Sequence, residues 1–305
     1  MNNQLALIRS AGCGGRFPGE SRLGAKQIRY LLGIVLLLAI AGVLAFDNWL
    51  DKPIAGSAIL VVMGLVGHIE FSKMSTGRHL GFSTLPGLLA TAWFLAVPCW
   101  YWEAEGVGLS STEQQLLLLG VFALLFLSFL TVLFRKDFLA RAGEVAPTVL
   151  GALLFGLLFS FVIRIYCRCE GVLTAAVFVF GIKLTDIGGY IAGSTIGRTR
   201  FLNISPKKTL EGFIAGFLLT GACFALAAES GYVPELKFGW LPGIGFGIIL
   251  AFSAAIGDLS ESLIKRLYGV KDSGSLLPEF GGVLDMIDSF IFSGFVFWCL
   301  LHYWS

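Results

Sequence analysis

Nine long apolar runs decide what this chain can fold into. They fall at about 28–46, 54–71, 82–101, 115–134, 145–166, 171–191, 210–228, 240–257 and 283–303. A helix needs about 20 mostly apolar residues to cross the hydrocarbon of a bilayer. A backbone in lipid must satisfy its own hydrogen bonds, which leaves helices or closed barrels. Barrel strands are short and alternate in polarity, whereas these runs are continuous. Composition points the same way. Of the 305 residues, 56% are hydrophobic and 14% charged, where a soluble domain carries about 25% charged residues. The expected fold class is therefore all-α: a polytopic integral membrane protein of about nine transmembrane helices. Membrane lipids are its surroundings, and no nucleic-acid partner is expected.

The loops set the orientation. Lys and Arg concentrate in cytoplasmic loops. With the N-terminus cytoplasmic, inside segments hold 17 of the 22 Lys and Arg and outside loops hold four, with Lys183 inside a span. Arg164 and Arg168 are local exceptions on the outside. Residues 1–27 form a basic cytoplasmic segment with no apolar core of the signal-peptide kind. Residues 28–305 read as one membrane domain, with scaffold spans over 28–170 and site-bearing spans and loops over 171–305. The six cysteines show no metal-ligand spacing.

Three stretches carry chemistry. In Lys183-Leu184-Thr185-Asp186-Ile187-Gly188-Gly189-Tyr190, Lys183 and Asp186 share a helix face within a span. An intramembrane carboxylate is costly and faces a partner or an aqueous cavity; the alternative is a structural ion pair holding two helices. In Ser205-Pro206-Lys207-Lys208-Thr209-Leu210-Glu211-Gly212, Ser205 suits an N-cap and Pro206 the first helical position. Lys207 and Lys208 then stand at the positive end of a helix, a conflict that a bound anion would relieve. Lipid headgroups beside an inside anchor would explain the lysines but not the cap. The third stretch runs from Gly257-Asp258 through Lys265-Arg266 and Lys271-Asp272 to Asp285 and Asp288. Asp285 and Asp288 are three apart at the start of the last span, and Asp258 ends the preceding span at the same level. Mg²⁺ takes one or two carboxylates plus substrate phosphates, and the adjoining cations would neutralise such phosphates. Preference for a helix N-terminus would explain Asp285 but not Asp288, which lies deeper in an apolar run.

At these residues the chain resembles the phosphatidate cytidylyltransferase family. Ser262, Lys265, Arg266, Lys271, Asp272, Gly274, Leu277, Pro278, Gly281, Gly282, Asp285 and Asp288 fit its signature at the right spacing. Asp186, Gly188, Tyr190 and the stretch Ser205 to Gly212 fit two upstream motifs. The likeness covers about residues 180–290. Phe280 stands where the family usually has His, Met286 where it has Arg, and Gly189 where Ala is common. The acids and lysines are intact, so an active enzyme is expected.

The resemblance implies that CTP and phosphatidic acid react to give CDP-diacylglycerol and pyrophosphate. It implies Mg²⁺, a second cation for which K⁺ is the candidate, and a homodimer. The implied roles are metal binding by Asp258, Asp285 and Asp288, the last as ligand or in support, and a phosphate grip by Lys265, Arg266 and Lys271, with Asp272 orienting Lys271. Ser205, Lys207 and Lys208 would hold CTP phosphate or the lipid headgroup, and Asp186 would anchor cytidine or a cation. The expected location is the inner (plasma) membrane of the cell, with the site facing the cytoplasm. Two alternatives remain. One is a CTP-dependent transferase acting on another lipid phosphate or lipid alcohol. The other is an ion-coupled transporter, which calls for ionisable residues spread through the membrane depth. The D-G-x2-A-R-x8-G-x3-D-x3-D signature of CDP-alcohol phosphotransferases does not occur.

Overall fold

The computed structural model describes residues 41–76, 82, 84–103, 108–169, 172–202, 204–270, 273–274 and 282–304. Two compact units divide the chain, residues 1–43 and residues 44–305. Of the first, residues 41–43 are helical. The second is built from long helices, and its described residues contain no strand beyond a single antiparallel bridge between Arg200 and Thr209.

Eight helices dominate the second unit. They are α1 (Ile54–Thr76), α2 (Thr84–Trp100), α3 (Ser111–Leu133), α4 (Ala142–Arg168), α5 (Val172–Thr195), α6 (Leu210–Ser230), α7 (Trp240–Leu267) and α8 (Val283–Trp304). All but the shorter α2 are long and apolar enough to cross a membrane. They correspond to eight of the nine predicted spans. The remaining span, 28–46, falls mostly outside the described residues. Two helices outrun their apolar stretches. α7 continues from the predicted end at 257 to Leu267, so Asp258 lies within the helix and does not end it. α5 likewise runs on to Thr195. The residues Glu261, Leu263, Lys265 and Arg266 are good helix formers, and the Glu261–Lys265 pair at i, i+4 supports the extension.

Between lipid-embedded helices there is little hydrophobic drive, so close packing and interior polar bonds hold the bundle. α6 packs lengthwise against α5 and α7, and α7 against α8. The α5–α6 contact is backbone to backbone, because a Cβ at Gly216 would lie 2.5 Å from the Thr185 carbonyl oxygen. Beside it the Thr185 and Thr220 hydroxyls share a 2.7 Å hydrogen bond. Phe178, Phe224, Phe246 and Phe297 form the buried centre where α5, α6, α7 and α8 meet, with the Phe178 and Phe297 rings 4.8 Å apart. Large apolar side chains such as Leu118, Phe122, Phe126 and Leu226 instead point outward. Trp49, Trp100, Tyr232, Trp240 and Tyr303 are exposed at helix ends that the charge pattern assigns to the outside, as an interfacial aromatic belt would be.

The two outside arginines prove to be interior groups. Arg168 Nη2 lies 2.7 Å from Glu113 Oε1, and the same guanidinium donates to the Tyr101 and Gly108 carbonyls at 3.0 and 3.1 Å. Arg164 donates to Ser160 Oγ at 2.7 Å. All three charged side chains are fully buried. They are structural ions that tie α3 to α4, which is why they depart from a rule about loops.

Candidate active site

The site begins where α7 outruns its apolar stretch. A spacing of three and four places Asp258, Glu261 and Lys265 along one face of that extension. Lys265 Nζ lies 2.8 Å from Glu261 Oε1 and donates to Asp285 Oδ1 at 3.0 Å, which links α7 to the first turn of α8. Asp285 Oδ2 accepts the Gly282 N–H at 2.9 Å. Asp285 thus does what an acid in a first helical turn ordinarily does, and in addition it receives an ammonium from the neighbouring helix.

Asp288, one turn deeper, is buried. Its Oδ1 accepts the Ser289 N–H and hydroxyl, and among the described residues it has no cationic partner. Gly257 brings it beside Asp258. A Cβ at Gly257 would lie 2.4 Å from the Asp288 carbonyl oxygen, so α7 and α8 touch through their backbones at this level. Asp288 lies within electrostatic reach of Asp258 and of Lys183.

The loop before α6 supplies the next cation, by a route other than the predicted one. The N-cap of α6 is Thr209, whose hydroxyl accepts the Gly212 N–H at 3.2 Å. Ser205 is not the cap. Its carbonyl accepts the Lys208 N–H at 3.1 Å, so Ser205, Pro206 and Lys207 form a turn ahead of the helix. Two cap-competent residues lie four apart in this stretch, and Pro206 favoured the wrong one. Glu211 fixes the preceding chain by accepting the Arg198 and Thr199 N–H groups and the Thr199 hydroxyl. From this turn Lys208 extends its ammonium directly onto Asp258 Oδ2. Lys207 is exposed.

α5 contributes the Lys183–Asp186 pair, 3.7 Å apart and about half exposed. Lys183 also lies over the Phe290 ring of α8, 4.8 Å from its centroid. Asp186 is within electrostatic reach of Asp258 and Lys208. The structure therefore gathers Asp186, Lys208, Asp258, Lys265, Asp285 and Asp288 at one end of α5, α6, α7 and α8. Arg266 is exposed on another face of α7, with no ion pair among the described residues. Lys271, Asp272 and Phe280 lie outside the described residues.

Two acids in or beside the site were not singled out from the sequence. Glu261 stood unassigned inside a quoted stretch. Glu70 belongs to α1, within the part read as scaffold. It is buried and accepts the backbone N–H groups of Val283 and Leu284. Its signal was available: an ionisable residue inside an apolar span is a functional candidate by default.

Asp258 and Asp288 suit a hard divalent ion. Each keeps one oxygen without a partner among the described residues, and the Lys208 ammonium already rests on Asp258 as a cation. Among the described residues no three His, Cys, Asp or Glu side chains are placed so as to hold one metal ion together. A divalent ion there would complete its shell with phosphate and water, the coordination Mg²⁺ prefers.

The model of the cytidylyltransferase family matches residues 27–304. The phosphatidate cytidylyltransferase of Bacillus subtilis (strain 168) is 33% identical over 264 residues, covering 83% of this chain and 92% of that protein. The phosphatidate cytidylyltransferase of Staphylococcus aureus (strain COL) is 30% identical, covering 84% of this chain and 94% of its own. Phosphatidate cytidylyltransferase 5, chloroplastic, of Arabidopsis thaliana is 30% identical over 94% of this chain and 59% of its own length. With a family model spanning nearly all of its residues, this chain belongs to the cytidylyltransferase family.

Proposed function

We propose that the protein is a phosphatidate cytidylyltransferase that makes CDP-diacylglycerol and pyrophosphate from CTP and phosphatidate at the cytoplasmic face of the inner membrane. The observation that carries this reading is the interleaving of acids and lysines at one end of four packed helices. Lys208 rests on Asp258, and Lys265 lies between Glu261 and Asp285. Clustering at one end separates this arrangement from a transport pathway, which needs ionisable groups through the membrane depth. Reaction at the membrane surface also follows from the substrates: phosphatidate keeps its acyl chains in lipid while its phosphate meets a water-soluble nucleotide.

In the reaction a phosphatidate phosphate oxygen forms a bond to the α-phosphorus of CTP, and the bond from that phosphorus to the β-phosphate bridge breaks. Such transfers depend on alignment and charge stabilisation more than on covalent work by the protein. Asp258 and Asp288 hold Mg²⁺, with Asp285 beside them. When bound there, Mg²⁺ would supply positive charge to offset that developing on the leaving pyrophosphate. Lys208 moves from Asp258 to phosphate, and exposed Lys207 meets the triphosphate or the lipid headgroup from the same turn. Lys265 keeps Asp285 in place and presents positive charge to the phosphates. Asp186 anchors cytidine or a second cation such as K⁺, and a homodimer is the proposed assembly.

The test is an assay of purified protein with labelled CTP and a panel of lipid phosphates, with and without Mg²⁺. CDP-diacylglycerol formed from phosphatidate, and abolished by chelation, is the expected result. Undiminished turnover in excess chelator would remove the metal role. A clear preference for another lipid phosphate would reassign the substrate.

A further inference from the structure

Glu70 links the first half of the chain to the acids of α8. Its carboxylate is 6% exposed, far from the end of the chain it serves. Oε1 accepts the Val283 N–H at 3.2 Å and Oε2 accepts the Leu284 N–H at 2.9 Å. A helix starts with N–H groups that have no partner within it. Here three of the four are assigned: Gly282 N–H goes to Asp285, and those of Val283 and Leu284 go to Glu70. The surroundings are cut to admit this carboxylate. A Cβ at Gly274 would lie 2.4 Å from Oε1, and one at Gly282 would lie 2.6 Å from Oε2. The chain thus meets Glu70 at Gly274 and again at Gly282, two positions within the family signature.

We infer that Glu70 is a positioning residue for the acidic pair of α8. By holding the Val283 and Leu284 amides against α1, it fixes the axial position of α8, and with it where Asp285 meets Lys265 and where Asp288 meets Asp258. This rests on the reading of those acids as the metal- and phosphate-handling groups. A neutral acceptor would hold the turn less well, because a carboxylate bonds two amides at once and complements the positive helix end. A purely structural Glu70 would affect the folding of the whole bundle and leave the surviving folded protein unchanged at its site.

The experiment compares wild-type, Glu70→Gln and Glu70→Asp proteins, each purified in detergent and monodisperse. Hydrogen exchange is followed in peptides covering 282–290, with α5 peptides as the internal reference, and Mn²⁺ binding is measured by electron paramagnetic resonance. In Glu70→Gln, amides at 283 and 284 should exchange faster while the α5 reference is unchanged. Mn²⁺ affinity should fall on the order of 10–100-fold, the usual effect of removing a group that orients metal ligands. Glu70→Asp should recover part of both. Folded variants with wild-type exchange and wild-type Mn²⁺ affinity overturn the inference. So does failure of both variants to fold, which would assign Glu70 to bundle stability alone. Wild-type protein that binds no Mn²⁺ would sink the metal reading, and exchange at 283 and 284 would then decide on Glu70 by itself.

Discussion

Replacing Gly257 by Ala should cripple turnover without unfolding the bundle. The added Cβ would sit 2.4 Å from the Asp288 carbonyl oxygen, with the Asp288 carbonyl carbon and Ser289 Cα each at 3.2 Å. All three neighbours are backbone atoms, so no rotamer change relieves the clash. A carbon–oxygen contact of this kind settles at about 3.3 Å or more. The two helices must then part by roughly 0.9 Å at the level of Asp258 and Asp288. Overpacking typically costs about 1–3 kcal/mol, which the remaining α7–α8 contacts can absorb. The catalytic cost is larger, because a displacement of about 1 Å can lower rates on the order of 10²-fold. Gly245→Ala is the matched control: it lies in the same helix, and its Cβ would meet nothing within 4 Å. That change should leave turnover intact and, by removing a helical glycine, add about 0.5–1 kcal/mol of stability. The assay is conversion of labelled CTP with phosphatidate in mixed micelles, on variants matched for monodispersity. Wild-type turnover in Gly257→Ala would show that the close approach of Asp258 and Asp288 does not matter to the reaction.

Asp288→Asn should abolish Mg²⁺-dependent product formation while the protein stays folded, and Asp285→Asn should do the same with an added loss of helix-start order; either variant turning over normally would remove that acid from the site. Lys208→Ala should raise the apparent KM for CTP at least several-fold while easing divalent-cation binding in the absence of nucleotide; unchanged kinetics and unchanged binding would return this lysine to a lipid-facing anchor. Glu113→Gln leaves the buried Arg164 and Arg168 without their acid, so a loss of about 3–5 kcal/mol is expected, read as a fall in the thermal unfolding midpoint. The folded fraction of Glu113→Gln should keep its KM for CTP, since Glu113 and its arginines lie on α3 and α4, which contribute none of the proposed site residues.

The bilayer makes much of this fold legible. Continuous apolar stretches of span length have few ways to satisfy their backbone, so eight predicted spans meet eight helices in the described residues. Helix ends were less legible, because hydropathy measures how long a segment stays in hydrocarbon and not how long it stays helical. Asp258 through Arg266 are polar, yet they continue α7 through helix-forming side chains and the Glu261–Lys265 pair. The α6 cap was misplaced for a local reason. Both Ser205 and Thr209 can cap, and the choice fell to the contact between Leu210 N–H and the Thr199 carbonyl, which closes the loop at the first residue of the helix. Glu70 was missed because its partners are 213 and 214 residues away, and spacing within a segment carries no information about contacts of that kind.

One conflict in the sequence explains the resting arrangement of the site. Lys207 and Lys208 stand ahead of the positive end of α6, where a second positive charge is unfavourable. The fold answers for Lys208 with Asp258 from α7, and in doing so it gives that half-buried acid a cationic partner. Each half of that pair is now a charge that cannot be exposed alone without loss. A cation meeting Asp258 therefore sets the Lys208 ammonium free, and an anion drawing Lys208 away leaves Asp258 in need of a cation. Under the proposed function, binding of nucleotide phosphate and of a divalent ion would thereby be coupled with the same sign in both directions, as linkage requires. A pair that looks like a simple salt bridge would on that reading yield most readily when both charges of a metal–triphosphate complex arrive together.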